Sequence, residues 1–149
     1  MLMKQLRARE HLRDDEAIGS ILVVDDNRDA ADTLRLLLHH WGYDAHVAYS
    51  GHQALDSAEM DWPRLVILDI SMPLMSGYEL ARRLRVHVAD DGPLSIWALT
   101  ALGDEVSRNH ALANGIDRHF TKPLNSAELR RLLGIELGSS NGDETTSSI

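Results

Sequence analysis

Four short apolar runs in this chain each end next to a residue that can handle phosphate or a divalent cation. The runs, with the residues that follow them, are 21–24 before Asp25 and Asp26, 65–68 before Asp69, 96–99 before Thr100, and 119–121 before Lys122. Runs of this kind indicate buried strands. If the strands lie parallel in one sheet, their carboxyl ends share one edge. That edge then gathers three carboxylates, a hydroxyl and an ammonium, the components of a magnesium-assisted phosphoryl-transfer site.

The segments between these runs carry helical repeats. Leu34, Leu38 and Trp41 recur at helical spacing after the first run. Capping-box pairs open three later helices: Ser50 with Gln53, Ser76 with Glu79, and Asn125 with Glu128. Residues 44–48 add a strand, and residues 104–113 form a weaker, polar helix. Five strands that each precede a helix predict an α/β fold with a five-stranded, doubly wound parallel sheet.

The winding of such a sheet decides where a ligand binds. Ligands lie beyond the carboxyl ends of the strands, at the point where the winding direction reverses. In the strand order 2-1-3-4-5, this point lies between strands one and three. We therefore expect the site at Asp25, Asp26 and Asp69.

Composition divides the chain into one folded domain and two polar ends. At 149 residues the chain fits a single domain that buries a core without disulfides, and it contains no cysteine. Residues 1–19 are predicted to be a charged N-terminal extension, and residues 20–135 the folded domain. Residues 136–149 are rich in Ser, Thr, Gly and acid, a composition that predicts a disordered tail.

Charge and hydropathy argue against several classes of function. A formal net charge of -8 disfavours direct binding of nucleic acid, which needs clustered Lys and Arg. The short basic run of Arg82, Arg83 and Arg85 is expected to be a solvated helix face. No apolar stretch approaches the length of a membrane span, and no signal-peptide core is present, so we expect no membrane insertion. Cytoplasm is the expected location.

The residues at the sheet edge suit a metal-assisted transfer of phosphate. Magnesium is usually held by one or two carboxylates together with water and phosphate oxygens. A carboxylate held beside the ion can attack phosphorus in line, and Asp69 is the best candidate because it stands alone at the end of the central strand. Lys122 would then neutralise phosphate oxygens, and the Thr100 hydroxyl would donate to another.

Each of these residues also has a plainer interpretation. Asp25 and Asp26 are adjacent acids, which commonly cap helices or lie in turns. A lone Asp after a strand, a Thr that ends one and a Lys before Pro are each common loop residues. Their joint occurrence, in order and at four predicted strand ends, favours the functional interpretation.

With these motifs assembled, the chain resembles the receiver domain of two-component response regulators, whose fold is flavodoxin-like. The resemblance covers about residues 20–135 and rests on four motifs. They are ILVVDDN at 21–27, LVILDISMP at 65–73 with Ser76 and Gly77, ALTA at 98–101, and FTKPL at 120–124. Each motif is weak alone, and together they are specific.

The resemblance implies a role for each edge residue. Asp69 accepts a phosphoryl group from a phosphohistidine, while Thr100 and Lys122 bind that group. The groups implied to hold Mg²⁺, or Mn²⁺, are Asp25, Asp26, Asp69 and the backbone carbonyl of Ser71. The peptide before Pro123 is implied to be cis. The same site slowly dephosphorylates, so the domain is expected to be a phosphoacceptor and not an enzyme with a separate substrate.

The readout implied by the resemblance is altered in this chain. In such domains the hydroxyl at the Thr100 position moves toward the phosphate, and an aromatic residue three places before the lysine turns inward. Here that position is His119, with Phe120 next to it. His119 as a rotating switch and His119 as a merely solvated residue both stay open. The polar helix at 104–113 is expected to be mobile, since few core contacts would hold it.

Three functions compete for this sequence. The first is a phosphoaccepting signalling domain whose partners are a sensor histidine kinase or a histidine phosphotransfer protein, and a downstream effector. The second is a phosphohydrolase that forms an aspartyl phosphate; such enzymes usually carry a second Asp where Ser71 stands here. The third is a receiver-like domain that only binds partners, disfavoured by the complete set of site residues. A stand-alone receiver and one from a larger regulator are both open, as is homodimerisation.

Overall fold

Strands and helices alternate along the chain, as the sequence pattern predicts. The computed structural model describes residues 19–87, 92–101 and 108–138. The strands are β1 Ser20–Val24, β2 Asp44–Ala48, β3 Leu65–Asp69, β4 Ser95–Thr100 and β5 Arg118–Thr121. The helices in these ranges are α1 Arg28–His40, α2 Gly51–Met60, α3 Gly77–Val86, α4 Arg108–Ala113 and α5 Ser126–Leu137.

The five strands lie parallel in one sheet with the order β2-β1-β3-β4-β5. β1 pairs with β2 on one side and with β3 on the other, so that Val24 lies opposite both Ala48 and Leu68. The predicted fold class and strand order are confirmed. Because β1 and β3 are parallel neighbours, the residues that follow Val24 and Leu68 meet at the same edge, where the winding reverses.

Two apolar cores, one on each face of the sheet, hold the layers together. Val24 and Leu68 pack under α2, α3 and α4, whereas Val23 and Ile67 pack under α1 and α5. All four side chains are at most 1% exposed. Successive residues of a strand point to opposite faces, so burial on both faces explains why the central strands are continuously apolar.

Side chains cap the helices at the predicted positions, but the capping boxes are incomplete. The Ser50 hydroxyl accepts from the Gln53 N–H at 3.1 Å, and the Ser76 hydroxyl accepts from the Glu79 N–H at 3.2 Å. The return bonds go elsewhere. The Gln53 side chain accepts from the Tyr49 N–H, one residue before the cap, and Glu79 pairs with an arginine one turn later. The patterns therefore mark where the helices start.

The basic run on α3 ties this helix to another part of the fold. Arg82 donates to the Asn114 side chain at 2.5 Å. Arg85 donates to two backbone carbonyls and to the Asp117 carboxylate, at 2.6 to 2.9 Å. Arg83 pairs with a glutamate on its own helix. Arg82 and Arg83 are exposed, as expected of a solvated face. Arg85 is half-buried, and its partners lie both in the segment between α4 and β5 and directly before β4.

Several predicted features lie partly or wholly outside the described residues. They are the extension at 1–19, the tail at 136–149 and the helix at 104–113, of which residues 108–113 are described. α5 continues to Leu137, two residues beyond the boundary drawn from composition. The Tyr43 hydroxyl donates to the Gly138 carbonyl at 3.1 Å. In the described part of the chain, no helix has the length and apolar character needed to traverse a bilayer.

Candidate functional site

Three carboxylates meet at the carboxyl edge of β1 and β3. Asp25 and Asp26 directly follow β1, and Asp69 is the last residue of β3. One carboxylate oxygen of each lies within 4.8 Å of the others. Asp25 and Asp69 are 3% and 8% exposed, whereas Asp26 is exposed. The sheet topology thus brings together the three acids at the predicted strand ends.

Backbone amides fix the orientation of two of these carboxylates. Asp25 Oδ1 accepts from the N–H of Asn27, and Asp69 Oδ1 accepts from the N–H of Ser71, both at 3.0 Å. Each bond spans two residues and closes the kind of turn that an aspartate makes at the start of a loop. With Oδ1 engaged in this way, Oδ2 of each carboxylate is the oxygen that faces Lys122.

Lys122 places its ammonium between two of the carboxylates. Its Nζ lies 3.2 Å from Asp69 Oδ2 and 3.5 Å from Asp25 Oδ2. The backbone N–H of Lys122 donates to the Thr100 carbonyl at 2.8 Å, and the peptide bond to Pro123 is cis. The pairing of β4 with β5 therefore positions Lys122 next to the carboxylates of Asp25 and Asp69.

The cluster of carboxylates is electrostatically unfavourable without added positive charge. Burial raises the pKa of Asp25, and the charge of Asp69 also raises it, against the Asn27 N–H and Lys122, which lower it. For Lys122, burial lowers the pKa, but the hydrogen bonds and charges of Asp69 and Asp25 outweigh burial, and the pKa is raised. Lys122 is therefore cationic at neutral pH and compensates only part of the negative charge.

This set of oxygen donors fits a hard divalent cation. Mg²⁺ and Mn²⁺ prefer oxygen ligands, and Mg²⁺ is usually held by one or two carboxylates with several waters. Asp25, Asp26 and Asp69 offer carboxylate oxygens within 4.8 Å of one another, and the cluster found in the described residues contains no thiolate or imidazole. The exposed Asp26 leaves the cluster open to solvent. The residues present therefore suit magnesium and not the usual ligand sets of structural zinc.

Thr100 and His119 lie on neighbouring strands. Thr100 ends β4, is 3% exposed, and donates from Oγ1 to the Phe120 carbonyl at 3.3 Å. His119 lies opposite Ala98 in the register, so its side chain is on the face covered by α2, α3 and α4. Phe120 points to the other face, where its ring centroid lies 5.5 Å from that of Trp97. His119, which is half-buried, is thus a β5 residue on the α4 side of the sheet.

The loop that follows Asp69 is closed at its base. The Gly77 N–H donates to the Ile70 carbonyl at 2.9 Å. A Cβ added at Gly77 would lie 2.5 Å from the Asp69 carbonyl oxygen and 2.8 Å from the Ile70 Cα. Only glycine allows this approach of backbone to backbone. Met72 and Met75 are buried and anchor the rest of the loop.

Sequence reasoning gave no role to two residues of this part of the chain. Gly77 belongs to a recognised motif, and a glycine directly after a helix cap is a signal of close backbone approach. Leu74 differs, because its side chain is 95% exposed and its φ is 71°. An apolar residue between two methionines carries no sequence signal for exposure or for a left-handed backbone.

Comparisons with other proteins agree with this geometry. The sequence profile of the response regulator receiver domain matches residues 21–134. An uncharacterized 14.6 kDa protein of Leptolyngbya boryana is 40% identical over 113 residues, which are 76% of this chain and 86% of that protein. The response regulator MprA of Mycolicibacterium vanbaalenii is 39% identical over 109 residues, 73% of this chain and 46% of MprA. The chain therefore spans about half the length of that regulator.

Solved structures share the fold. One is the receiver domain of sensor histidine kinase PA1611 from Pseudomonas aeruginosa PAO1, solved with a magnesium ion coordinated in its active site cleft. It is 30% identical to this chain, with a TM-score of 0.69, and the match covers 81% of this chain and 98% of that one. Another is the co-crystal structure of the Saccharomyces cerevisiae histidine phosphotransfer protein Ypd1 and the receiver domain of Ssk1. It matches at 24% identity with a TM-score of 0.71, and the match covers 79% of this chain and 88% of that one. At that identity the likeness shows the fold alone. Since the matched profile covers most of this chain, including all three clustered aspartates, the chain belongs to the response regulator receiver domains, the signalling domains of two-component systems.

Proposed function

We propose that this receiver domain accepts a phosphoryl group on Asp69 from a phosphohistidine. The environment of the Asp69 carboxylate carries the proposal. The residue is 8% exposed, its Oδ1 is held by a backbone N–H, and the Lys122 ammonium lies 3.2 Å from its Oδ2. A nucleophile that is desolvated, oriented and next to positive charge needs little reorganisation when charge develops on phosphoryl oxygens.

The proposed transfer exchanges one bond to phosphorus for another. An oxygen of Asp69 attacks phosphorus in line with the bond to the donor nitrogen. The O–P bond forms as the P–N bond breaks, and the bonding electron pair stays on nitrogen. The donor ring leaves as neutral imidazole when its other nitrogen carries a proton. The product on this chain is a mixed anhydride of the Asp69 carboxylate and phosphate.

A divalent cation belongs to the proposal. The groups that would hold Mg²⁺ or Mn²⁺ are Asp25, Asp26, Asp69 and the backbone carbonyl of Ser71. The carboxylate cluster and the magnesium ion in the PA1611 receiver domain support this assignment. When bound there, the ion would supply charge neutralisation for the phosphoryl oxygens. Lys122 adds a further positive charge, which keeps Asp25 and Asp69 side by side.

Thr100 is the proposed sensor of the phosphoryl group. Its hydroxyl donates to the Phe120 carbonyl at 3.3 Å, a long bond for a hydroxyl donor. A charged phosphoryl oxygen is a stronger acceptor than a backbone carbonyl. The hydroxyl therefore turns from β5 to the phosphate, which releases one contact between β4 and β5. His119, beside that contact on the α4 side of the sheet, is the proposed switch residue.

The phosphorylated state is proposed to decay slowly by attack of water on phosphorus, which restores the Asp69 carboxylate. Fast turnover in a phosphohydrolase of this chemistry uses a second aspartate two residues after the nucleophile, and Ser71 occupies that position. A hydroxyl with an ordinary pKa is a poor general base. The domain is therefore proposed to be a phosphoacceptor and not an enzyme acting on separate phosphomonoesters.

The proposed partners follow from this chemistry. The donor is a sensor histidine kinase or a histidine phosphotransfer protein, and a downstream effector reads the phosphorylated face. The match to a receiver domain crystallised with Ypd1, and the relationship to the regulator MprA, support partners of these kinds. No direct contact with nucleic acid is proposed. A cytoplasmic location belongs to the same proposal, because the kinase draws its phosphate from ATP.

Intact-mass measurement tests the acceptor. The protein is incubated with Mg²⁺ and acetyl phosphate, and we expect one added phosphoryl group that Asp69→Asn abolishes. Asp61→Asn, which changes an exposed carboxylate at the end of α2, is the matched control and should be labelled like the wild type. Labelling that persists in Asp69→Asn, or a wild type that is never labelled, contradicts the proposal. Steady hydrolysis of p-nitrophenyl phosphate would favour the phosphohydrolase instead.

A further inference from the structure

Leu74 combines two unfavourable features in the loop that follows Asp69. Its side chain is 95% exposed, the highest value among the exposed large apolar side chains of the described residues. Its φ is 71°, and no other non-glycine residue in the described ranges has a positive φ. A Cβ disfavours this left-handed backbone, which Gly and Asn adopt more readily. A strained position that also exposes a leucine is a candidate for function.

The loop presents Leu74 outward and holds it there. Met72 and Met75 are 8% and 2% exposed, so both flanks of the loop are anchored in the core. The Met75 N–H donates to the Pro73 carbonyl at 2.7 Å, which makes Leu74 the centre of a γ-turn. The form of this turn with positive φ at its centre is rare and strained. The leucine therefore cannot fold back onto the core without breaking the turn.

Leu74 stands close to the acceptor. Leu74 is five positions after Asp69, so the two Cα atoms are at most about 18 Å apart even for an extended chain. The closed base of the loop, between Ile70 and Gly77, shortens this distance. A standard protein interface covers about 800 Å² on each partner, a patch with a radius of about 16 Å. A protein centred on Asp69 therefore extends about as far as the loop that carries Leu74.

We propose that Leu74 is a specificity-determining contact for the phosphohistidine-bearing protein that donates to Asp69. The partner is one with an apolar surface beside its phosphorylated histidine, into which the leucine is buried. This inference rests on the proposed function and deepens it, because it separates two classes of donor. A small acyl phosphate reaches Asp69 without covering the loop, whereas a protein donor covers the loop whenever its histidine reaches bonding distance.

A downstream effector is the other protein that could contact this loop. The donor is favoured, because the two partners differ in how closely they must approach Asp69. The donor must bring a nitrogen to within bonding distance of the phosphorus that Asp69 attacks, so it has to cover the acidic edge. An effector reads a change of conformation and has no need to approach the carboxylate. The exposed leucine in the loop after Asp69 therefore fits the donor.

Two donors used side by side test the inference. Acetyl phosphate is the small donor, and a panel of phosphorylated histidine phosphotransfer proteins that includes Ypd1 supplies the protein donors. The test variant is Leu74→Asn, because asparagine tolerates the positive φ but is not apolar. We expect kcat/KM for the protein donors to fall by about ten-fold or more, mainly through KM. The rate of labelling by acetyl phosphate should be unchanged.

Two further variants control for exposure and for apolar character. Met60→Asn changes an exposed apolar residue at the end of α2, 74% exposed, and should leave transfer from both kinds of donor at the wild-type rate. Leu74→Met keeps an apolar side chain and should restore most of the transfer from the protein donors. Thermal unfolding of Leu74→Asn should show no loss of stability, since asparagine relieves strain in the turn.

The outcomes separate this inference from the proposed function. Equal losses with acetyl phosphate and with the protein donors would mean that Leu74 shapes the site itself, which overturns the inference. Unchanged transfer from the protein donors also overturns it, as does a wild type that acetyl phosphate labels but no protein donor does. A wild type that acetyl phosphate does not label on Asp69 instead defeats the proposed function.

Discussion

The Lys122 ammonium lies 3.2 Å from Oδ2 of Asp69, and the same nitrogen lies 3.5 Å from Oδ2 of Asp25. One cation thus compensates two buried carboxylates that repel each other. Any change at Lys122 acts on both acids at once. The proposed acceptor, one proposed metal ligand and the counter-charge therefore behave as a single electrostatic unit.

Lys122→Ala is expected to slow labelling of Asp69 by acetyl phosphate by about 100-fold, because the variant loses a preorganised positive charge next to the phosphoryl oxygens. A time course of intact mass at saturating Mg²⁺ measures this. Arg130→Ala, which removes an exposed cation over the Trp41 ring, is the control and should be labelled at the wild-type rate. Labelling of Lys122→Ala at the wild-type rate would remove the lysine from the mechanism.

Asp25→Asn is expected to stabilise the metal-free protein at neutral pH. Burial raises the pKa of Asp25 in the folded state, so folding disfavours the ionised carboxylate. The contribution of such a group to stability is fully present below its unfolded pKa and is lost as the pH rises through the folded pKa. Asparagine can still accept from the Asn27 N–H and carries no charge. The free energy of unfolding in EDTA should rise on the order of 1 kcal/mol.

Urea denaturation in EDTA at several pH values checks this sign. The advantage of Asp25→Asn over the wild type should shrink as the pH is lowered toward and below about 3.9, the ordinary pKa of aspartate. An advantage that grows on acidification would show that the Asp25 charge is stabilising. Adding Mg²⁺ should stabilise the wild type more than the variant, because the variant lacks one of the proposed carboxylate ligands.

Gly77→Ala is expected to destabilise the fold by about 2 kcal/mol and to slow labelling, since its Cβ would meet the Asp69 backbone at 2.5 Å. Backbone atoms at β3 cannot move aside without shifting Asp69, the proposed acceptor. Gly134→Ala is the matched control on α5, where an added Cβ meets nothing within 4 Å. That variant should gain about 0.5–1 kcal/mol from helix propensity. Chemical denaturation compares the two, and equal effects would refute the contact.

Arg85→Gln is expected to cost about 2–3 kcal/mol, because it removes donors to two backbone carbonyls and to the Asp117 carboxylate. Arg83→Gln, two positions earlier on the same helix, loses only an exposed pair with Glu79 and should cost less than about 0.5 kcal/mol. Denaturation midpoints and amide exchange in α4 measure the difference. Similar losses for the two arginines would mean that the Arg85 contacts contribute nothing.

The convergence of Asp25, Asp26 and Asp69 was predictable because it needs only two facts. Each acid follows an apolar run that indicates a buried strand, and parallel strands carry their carboxyl ends to one edge. The strand order 2-1-3-4-5 is one of the common orders of doubly wound sheets, and it is confirmed. The local pattern of apolar residues thus predicts where the strands lie and which residues stand at their ends.

The contacts of Arg82 and Arg85 could not be predicted in the same way. Asn114 and Asp117 lie 32 positions after the arginines that they contact, in a segment with no periodic pattern. A short stretch of sequence indicates where a helix lies and where it is capped. Hydrogen bonds between distant residues depend instead on how loops pack against helices. Leu74 is similar, because its exposure follows from the burial of Met72 and Met75 on either side.

The hydrogen bond from Tyr43 to Gly138 joins the residue before β2 to the residue after α5. β2 begins beside the start of β1, where Ser20 lies opposite Asp44. Both termini of the described fold therefore leave from the amino edge of the sheet. The carboxylates lie at the far edge, about 17 Å away along a five-residue strand. The two ends of the described fold thus lie on the side of the sheet opposite the acidic edge.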